Sequence, residues 1–215
     1  MTRSRSRGRP TAHQPSSRGQ ILDALAHQLG AAPLSRPSLR LVAGTAGVSP
    51  ALLHYYFRDP SDLMRCLFEE RALPLLQPAL QELQAAETDP GAGIARFLHR
   101  WSAAALRNPW LPACLAQVPA DASAATRDWS AALRRTVIAA QRQGTLRRDL
   151  PDGYIALLLL SLGMLPHLLR TALGGGIDPA GMSEPEDAAA LTLHHLAMLR
   201  SGIAPPQSPR QDSTS

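Results

Sequence analysis

Two stretches of the chain carry side chains suited to nucleic-acid chemistry. The first is Ser49-Pro50-Ala51-Leu52-Leu53-His54-Tyr55, preceded by Arg40 and followed by Arg58. A guanidinium can take guanine O6 and N7 as a bidentate pair, which makes Arg40 the strongest base or phosphate contact by chemistry, against a solvated surface arginine. Ser49 can cap a helix and meet a phosphate at the same helix end. Tyr55 offers a hydroxyl to a phosphate or a base edge. His54, which donates or accepts, is either a groove contact or a packed side chain. The second stretch is the N-terminal tail, where Arg3, Arg5, Arg7 and Arg9 alternate with small residues. Its Arg7-Gly8-Arg9-Pro10 core suits either insertion into a narrow A·T-rich minor groove or a general attraction to phosphates.

The charge distribution sharpens this division. Of 215 residues, 22 are basic and 17 acidic, a net charge of +5, and every basic residue is arginine. Residues 1–20 hold five arginines and no acid, so the rest of the chain balances at 17 against 17. Residues 21–70 carry four arginines and five acids. Long-range attraction therefore belongs to the tail, and base choice to the helix.

Patterns for other chemistry are missing from the sequence. There is no nucleophile elbow, no phosphate-cradling glycine loop, and no His-x-x-x-His or Cys-x-x-Cys pair, so no enzyme, metal or cofactor is expected. His194 and His195 are adjacent and point to different helix faces. Cys66 and Cys114 stand 48 positions apart in helix-like surroundings, which fits a reducing cytoplasm better than a disulfide framework. No secretory signal follows the arginine-rich start. The apolar run 153–169 is short for a spanning helix and contains Gly163, Pro166 and His167, so a buried helix and no membrane partner are expected.

The elements that must hold these side chains are helices. Ile21, Leu25 and Leu29 form one apolar stripe of a first amphipathic helix, and no convincing strand alternation occurs, so the fold class is all-α. Ser38 can cap a short helix ending at Ala46, with Gly47 supplying a left-handed turn. Ser49-Pro50 and Asp59-Pro60 each read as an N-cap with proline at the first helical position. Val42, Ala46, Val48, Leu53 and Phe57 can point inward, and Tyr56 packs with Phe57. Small Ala43 lets two helices cross, leaving Ala51, Leu52, His54 and Tyr55 outside, which is helix-turn-helix logic.

Further helices are expected near 93–106, 111–117, 122–143, 153–173 and 184–201, with Gly144 ending the third of these and Ser183 with Glu186 boxing the start of the last. Pro74 and Pro78 should kink or break the segment from Leu63 to Leu83. Glycines 174–176 connect the final two helices. Residues 1–17 and 204–215 have little to bury and read as disordered tails.

Residues 21–70 resemble the DNA-binding domain of the tetracycline-repressor-like (TetR/AcrR) transcriptional regulators. The matching elements are Ile21-Leu22-Asp23-Ala24, the Val42-Ala43-x-x-Ala46-Gly47-Val48-Ser49 core, the Leu53-x-x-Tyr56-Phe57 end and Leu63. The rest is similar only in outline, with Gly144-x-Leu146-Arg147 resembling a recurrent segment before the penultimate helix. Three positions depart from the family: Ala51 stands for a usual glycine, His54 for a tyrosine, and Pro60 for a phosphate-clamping lysine that Arg58 or the tail can replace.

The resemblance implies a helix-turn-helix domain at 18–64 and a helical effector-binding and dimerisation domain at 65–203. It further implies a homodimer through the last two helices, which reads a palindromic operator on double-stranded DNA and is released by a small effector. Trp101, Trp110, Met164 and His167, with His99 and Cys114, supply apolar walls and a few polar handles for a hydrophobic or aromatic ligand. The alternative is an architectural DNA-binding protein with little sequence preference.

Overall fold

The computed structural model describes residues 17–86, 88–118 and 124–172, with side chains from Asp128 onward in the last span. The tail arginines Arg7 and Arg9, the glycine connection, the helix expected at 184–201 and the C-terminal tail lie outside the described residues. Among those described there are nine α-helices and no strand: α1 (Ser17–Ala31), α2 (Leu39–Ala46), α3 (Pro50–Tyr56), α4 (Pro60–Leu67), α5 (Leu73–Gln84), α6 (Pro90–Arg107), α7 (Leu111–Gln117), α8 (Ala124–Arg142) and α9 (Asp152–Ala172). A helix-turn-helix head leads into a helical body.

The head forms because α1 presents Ile21, Leu22, Leu25 and Leu29 to Val42 and Ala43 of α2, Leu53 of α3 and Phe57 just beyond it, all buried. The same helix reaches the body through its C-terminal end. Gly30 lies against Trp110, with a built Cβ 3.8 Å from that of the tryptophan. Gln117 Nε2 donates to Pro33 O at 2.9 Å.

Between Leu63 and Leu83 the chain neither breaks nor stops. Residues Phe68–Ala72 form a π-helical turn between α4 and α5, in which Leu73 N–H donates to Phe68 O. Pro74 sits in the first turn of α5 and Pro78 inside it, so the break expected at the prolines is replaced by a wider turn just upstream.

In the body, α5, α6, α8 and α9 pack side by side around Phe97, Leu98, Trp101, Leu133, Val137 and Leu159. Gly144, at φ 78°, follows the end of α8 as expected. Helix α9, expected as a buried helix, is covered on one face by the described residues of the single chain. It buries Ile155, Leu159, Met164 and His167, while Tyr154, Leu157, Leu165 and Leu169 are exposed, Leu157 at 62%. By length and composition α9 could cross a membrane. In this structure its buried face lies on α6 and α8.

Candidate nucleic-acid interface

The turn between α2 and α3 is built by local chemistry. Ser38 Oγ accepts from Leu41 N–H at 3.4 Å at the start of α2. Gly47 takes φ 65° at its end, and Val48 N–H donates to Ala43 O at 3.0 Å, closing the helix before the chain turns. Ser49 Oγ then accepts from Leu52 N–H at 3.2 Å, with Pro50 at the first position of α3. Leu53 and Phe57 are buried, and Ala46, Val48 and Tyr56 are half-buried against the core, so the inward set matches expectation.

What remains outside is a short face of mixed chemistry. Pro50, Ala51, His54 and Tyr55 are exposed, Tyr55 at 81%, while Leu52 is half-buried rather than fully outward. The Tyr55 ring meets Tyr56 edge-on at 5.3 Å, which holds it away from the core with its hydroxyl free to reach a partner. Arg40 is exposed on α2 and has no ion-pair partner among the described residues. Arg36, ahead of the Ser38 cap, is likewise exposed and without one. Sequence reasoning passed over Arg36, although it lies with no acid nearby and two residues before a cap.

Arg58 is differently placed. Its backbone N–H donates to Asp62 Oδ2 at 3.0 Å and its guanidinium stands 3.5 Å from Oδ1, yet its side chain is exposed. Asp62 also receives Arg65 and is itself buried. The Arg58 amide above all, opposed by burial and helped by the two guanidinium groups, holds the Asp62 carboxyl below the usual carboxylate range. Asp59 caps α4 by accepting from Asp62 N–H at 2.8 Å. The segment with Pro60 in place of lysine therefore carries two carboxylates, and Arg58 is the cation that leans out from them.

Arg18 was counted with the tail, but it belongs to the head. Its Nη1 lies 2.5 Å from Glu70 Oε1 in the π-helical turn, and its guanidinium stands over the Phe57 ring at 5.0 Å. Arg71 of the same turn pairs with Asp23 of α1 at 3.3 Å. The N-terminal half of α1 is thus tied twice to the α4–α5 junction.

The body residues nominated for a ligand divide. Trp101 is 2% exposed, with Phe97 stacked at 5.4 Å, Trp129 at 4.4 Å and its Nε1–H donating to Leu160 O at 3.3 Å. It packs on Gly163, next to buried Met164 and one turn from buried His167. Trp110 stands apart, at the α1–α7 junction. His99 is exposed on the far side of α6, beside Pro74 and Pro78. Cys114 is wholly buried, and desolvation pushes its thiol up to about 12, so it is an inert core group. Among the described residues no group of three or more His, Cys, Asp and Glu could hold a metal ion.

A head of this geometry on an all-helical body is the fold of the TetR-type regulators. No protein-family model and no curated protein matches the sequence. Solved structures do match in fold. A TetR family transcription regulator from Marinobacter aquaeolei VT8 superposes with a TM-score of 0.62 at 20% identity, over 89% of this chain and 97% of that one. The ketosteroid transcriptional regulator KstR2 of Mycobacterium tuberculosis gives 0.63 at 15% identity, over 92% and 100%. A γ-butyrolactone receptor, an ArpA-like protein, gives 0.60 at 17% identity, over 88% of each chain.

Proposed function

We propose that the protein is a ligand-responsive transcriptional repressor that binds a palindromic operator as a homodimer and is released by a small hydrophobic effector. The observation that carries this reading is the outward face of α3, with Pro50, Ala51, His54 and exposed Tyr55 beside unpaired Arg40, on a helix-turn-helix whose inner side chains are all used in packing. Such a face has no structural role in the isolated chain and fits a major groove. Arg36 and Arg58 add backbone contacts, and the tail arginines Arg7 and Arg9 add attraction or minor-groove insertion. In this reading residues 18–64 are the DNA-binding domain and 65–203 the effector-binding and dimerisation domain.

Dimerisation is supported by α9, whose exposed Tyr154, Leu157, Leu165 and Leu169 form an apolar face that a partner's α9 and segment 184–201 would cover. The effector reading is supported by the aromatic layer of Trp101 and Trp129 with Met164 and His167, and by fold neighbours described as a γ-butyrolactone receptor and a ketosteroid regulator.

Selection of bound sequences from random duplex DNA by the purified full chain tests the proposal. A palindromic consensus, bound thousands of times better than random DNA, is the expected result. A specific-to-nonspecific ratio near one would sink it and favour an architectural DNA-binding protein.

A further inference from the structure

We propose that the open cleft between α5 and α8 takes an apolar monocarboxylate, with Arg135 as the residue that holds the acid group. This deepens the ligand-responsive reading and rests on it. The cleft encloses about 460 Å³, a volume in the ordinary range for small-molecule sites. Leu83 and Ala86 on one side and Ala132 and Ala139 on the other give it apolar walls, and Gln84, Thr136 and Arg135 supply the polar part of its lining. An adjoining hollow of about 380 Å³ shares Arg135 and extends to Trp129 and Asp128.

The charges in and around this cleft are unequal in how they are used. Arg135 is exposed and has no ion-pair partner among the described residues, whereas Arg134, its neighbour, is held by Asp152 at 2.7 Å. On α5, Glu82 is committed to Arg96 at 2.8 Å and Arg100 at 2.6 Å, which leaves no acid from that helix to answer Arg135. Thr136 Oγ1 lies 3.1 Å from Ala132 O and 3.3 Å from Leu83 O, so its hydroxyl is spent fastening α8 to α5. A guanidinium without a partner among the described residues, at the rim of a cleft with apolar walls, matches a molecule with one carboxylate and a hydrocarbon body.

Asp128 sets the direction. It stands two turns before Arg135 on α8, about 10 Å along the axis at 1.5 Å per residue. It repels an acid group from its own end and leaves the Arg135 end as the favourable seat. Trp129 lies between them with its indole N–H buried and unpaired, its ring against Trp101. A ligand in the cleft therefore alters the surroundings of a tryptophan that reports by emission.

The test titrates the full-length protein with decanoate and, separately, with methyl decanoate, following tryptophan emission and the thermal midpoint. Decanoate is expected to bind at least tenfold more tightly than the ester. Arg135→Gln, whose side chain has no partner to lose, should keep the wild-type midpoint and erase that tenfold preference. Arg134→Gln makes the same change in net charge and should retain it. A preference that survives Arg135→Gln, or one lost equally in Arg134→Gln, overturns the assignment, as does failure of both probes to bind. Operator selection without ligand separates the two readings. A palindrome with no decanoate binding removes the ligand class alone, whereas decanoate binding without sequence preference removes the repressor reading alone.

Discussion

Replacing Gly163 by alanine puts a methyl group into the Trp101 indole. A Cβ built on Gly163 overlaps Trp101 Cδ1 and comes within 3.0 Å of Nε1 and 3.2 Å of Cγ. The ring has nowhere to go: it is 2% exposed, stacked on Phe97, pressed by Trp129, and hydrogen-bonded to Leu160 O. Overpacking of this kind costs about 1–3 kcal/mol, and loss of the indole hydrogen bond adds about 1 kcal/mol. Alanine recovers about 1 kcal/mol of helix propensity. The net is a destabilisation of about 2 kcal/mol, or about 4–8 °C in Tm for a chain of this length. Thermal unfolding followed by circular dichroism and tryptophan emission measures it. Gly153→Ala is the control, because nothing lies within 4 Å of a Cβ there and the same helix accepts the methyl group freely. A Gly163→Ala protein as stable as wild type would refute the close approach of α9 to Trp101, and with it the aromatic layer.

Gly47→Ala meets no atom within 4 Å but must hold φ 65°, so it should cost about 1 kcal/mol by backbone strain alone and lower Tm by about 2–4 °C. Arg40→Ala should weaken a selected operator about tenfold or more, the loss of a contact worth about 1–3 kcal/mol, with the thermal midpoint unchanged because Arg40 supports nothing in the head. Gel-shift titration at fixed salt reads that loss. Asp62 sets an acid limit. Its folded-state pKa lies below the ordinary value, so its stabilisation is complete above that value and disappears as pH falls through the folded one. Midpoints should be flat in this contribution from pH 6 to 8 and drop below about pH 4, and Asp62→Asn should blunt the drop. A double-mutant cycle on Arg18 and Glu70 should give a coupling of about 0.2–1 kcal/mol, since both side chains are partly open to solvent.

The parts of this molecule that were legible from its sequence are those whose cause is local. A serine before a helix, proline after it and glycine at a helix end act within a few residues, and Ser38, Gly47, Ser49-Pro50, Asp59-Pro60 and Gly144 all stand where those rules put them. The outward set of α3, Leu52 apart, was read from the same periodicity that filled the head's core. Contacts between distant residues were not readable in this way. Nothing near Arg18 in sequence shows that it meets Glu70, and nothing in the spacing of Trp101, Trp110 and His99 separates one buried ring from two side chains elsewhere. Arg135 was passed over for a related reason: its significance is a missing partner, and a missing partner becomes visible only when α5 and α8 are side by side.

The π-helical turn joins these two levels. From Leu63 and Leu67 an unbroken α-helix would next bury Glu70 and Pro74, which cannot form a core. The buried residues are instead Phe68, Ala72, Leu76, Ala79 and Leu83; Ala72 follows Phe68 at ordinary helical spacing, but it shares a face with Leu67 only where five residues make the step. One extra residue in the turn supplies that step, at about 100° of rotation per residue. Pro74, with no N–H to give, makes the usual ladder incomplete at the same place. The slip turns α5 so that Leu76 and Leu83 enter the body's core, and it brings Glu70 and Arg71 out toward Arg18 and Asp23 of α1. The segment that corrects a packing mismatch is therefore the one that clamps the head. A displacement of α5 by a molecule wedged against Leu83 would reach α3 along the chain through that turn, beside the packing route from α6 and α7 to α1.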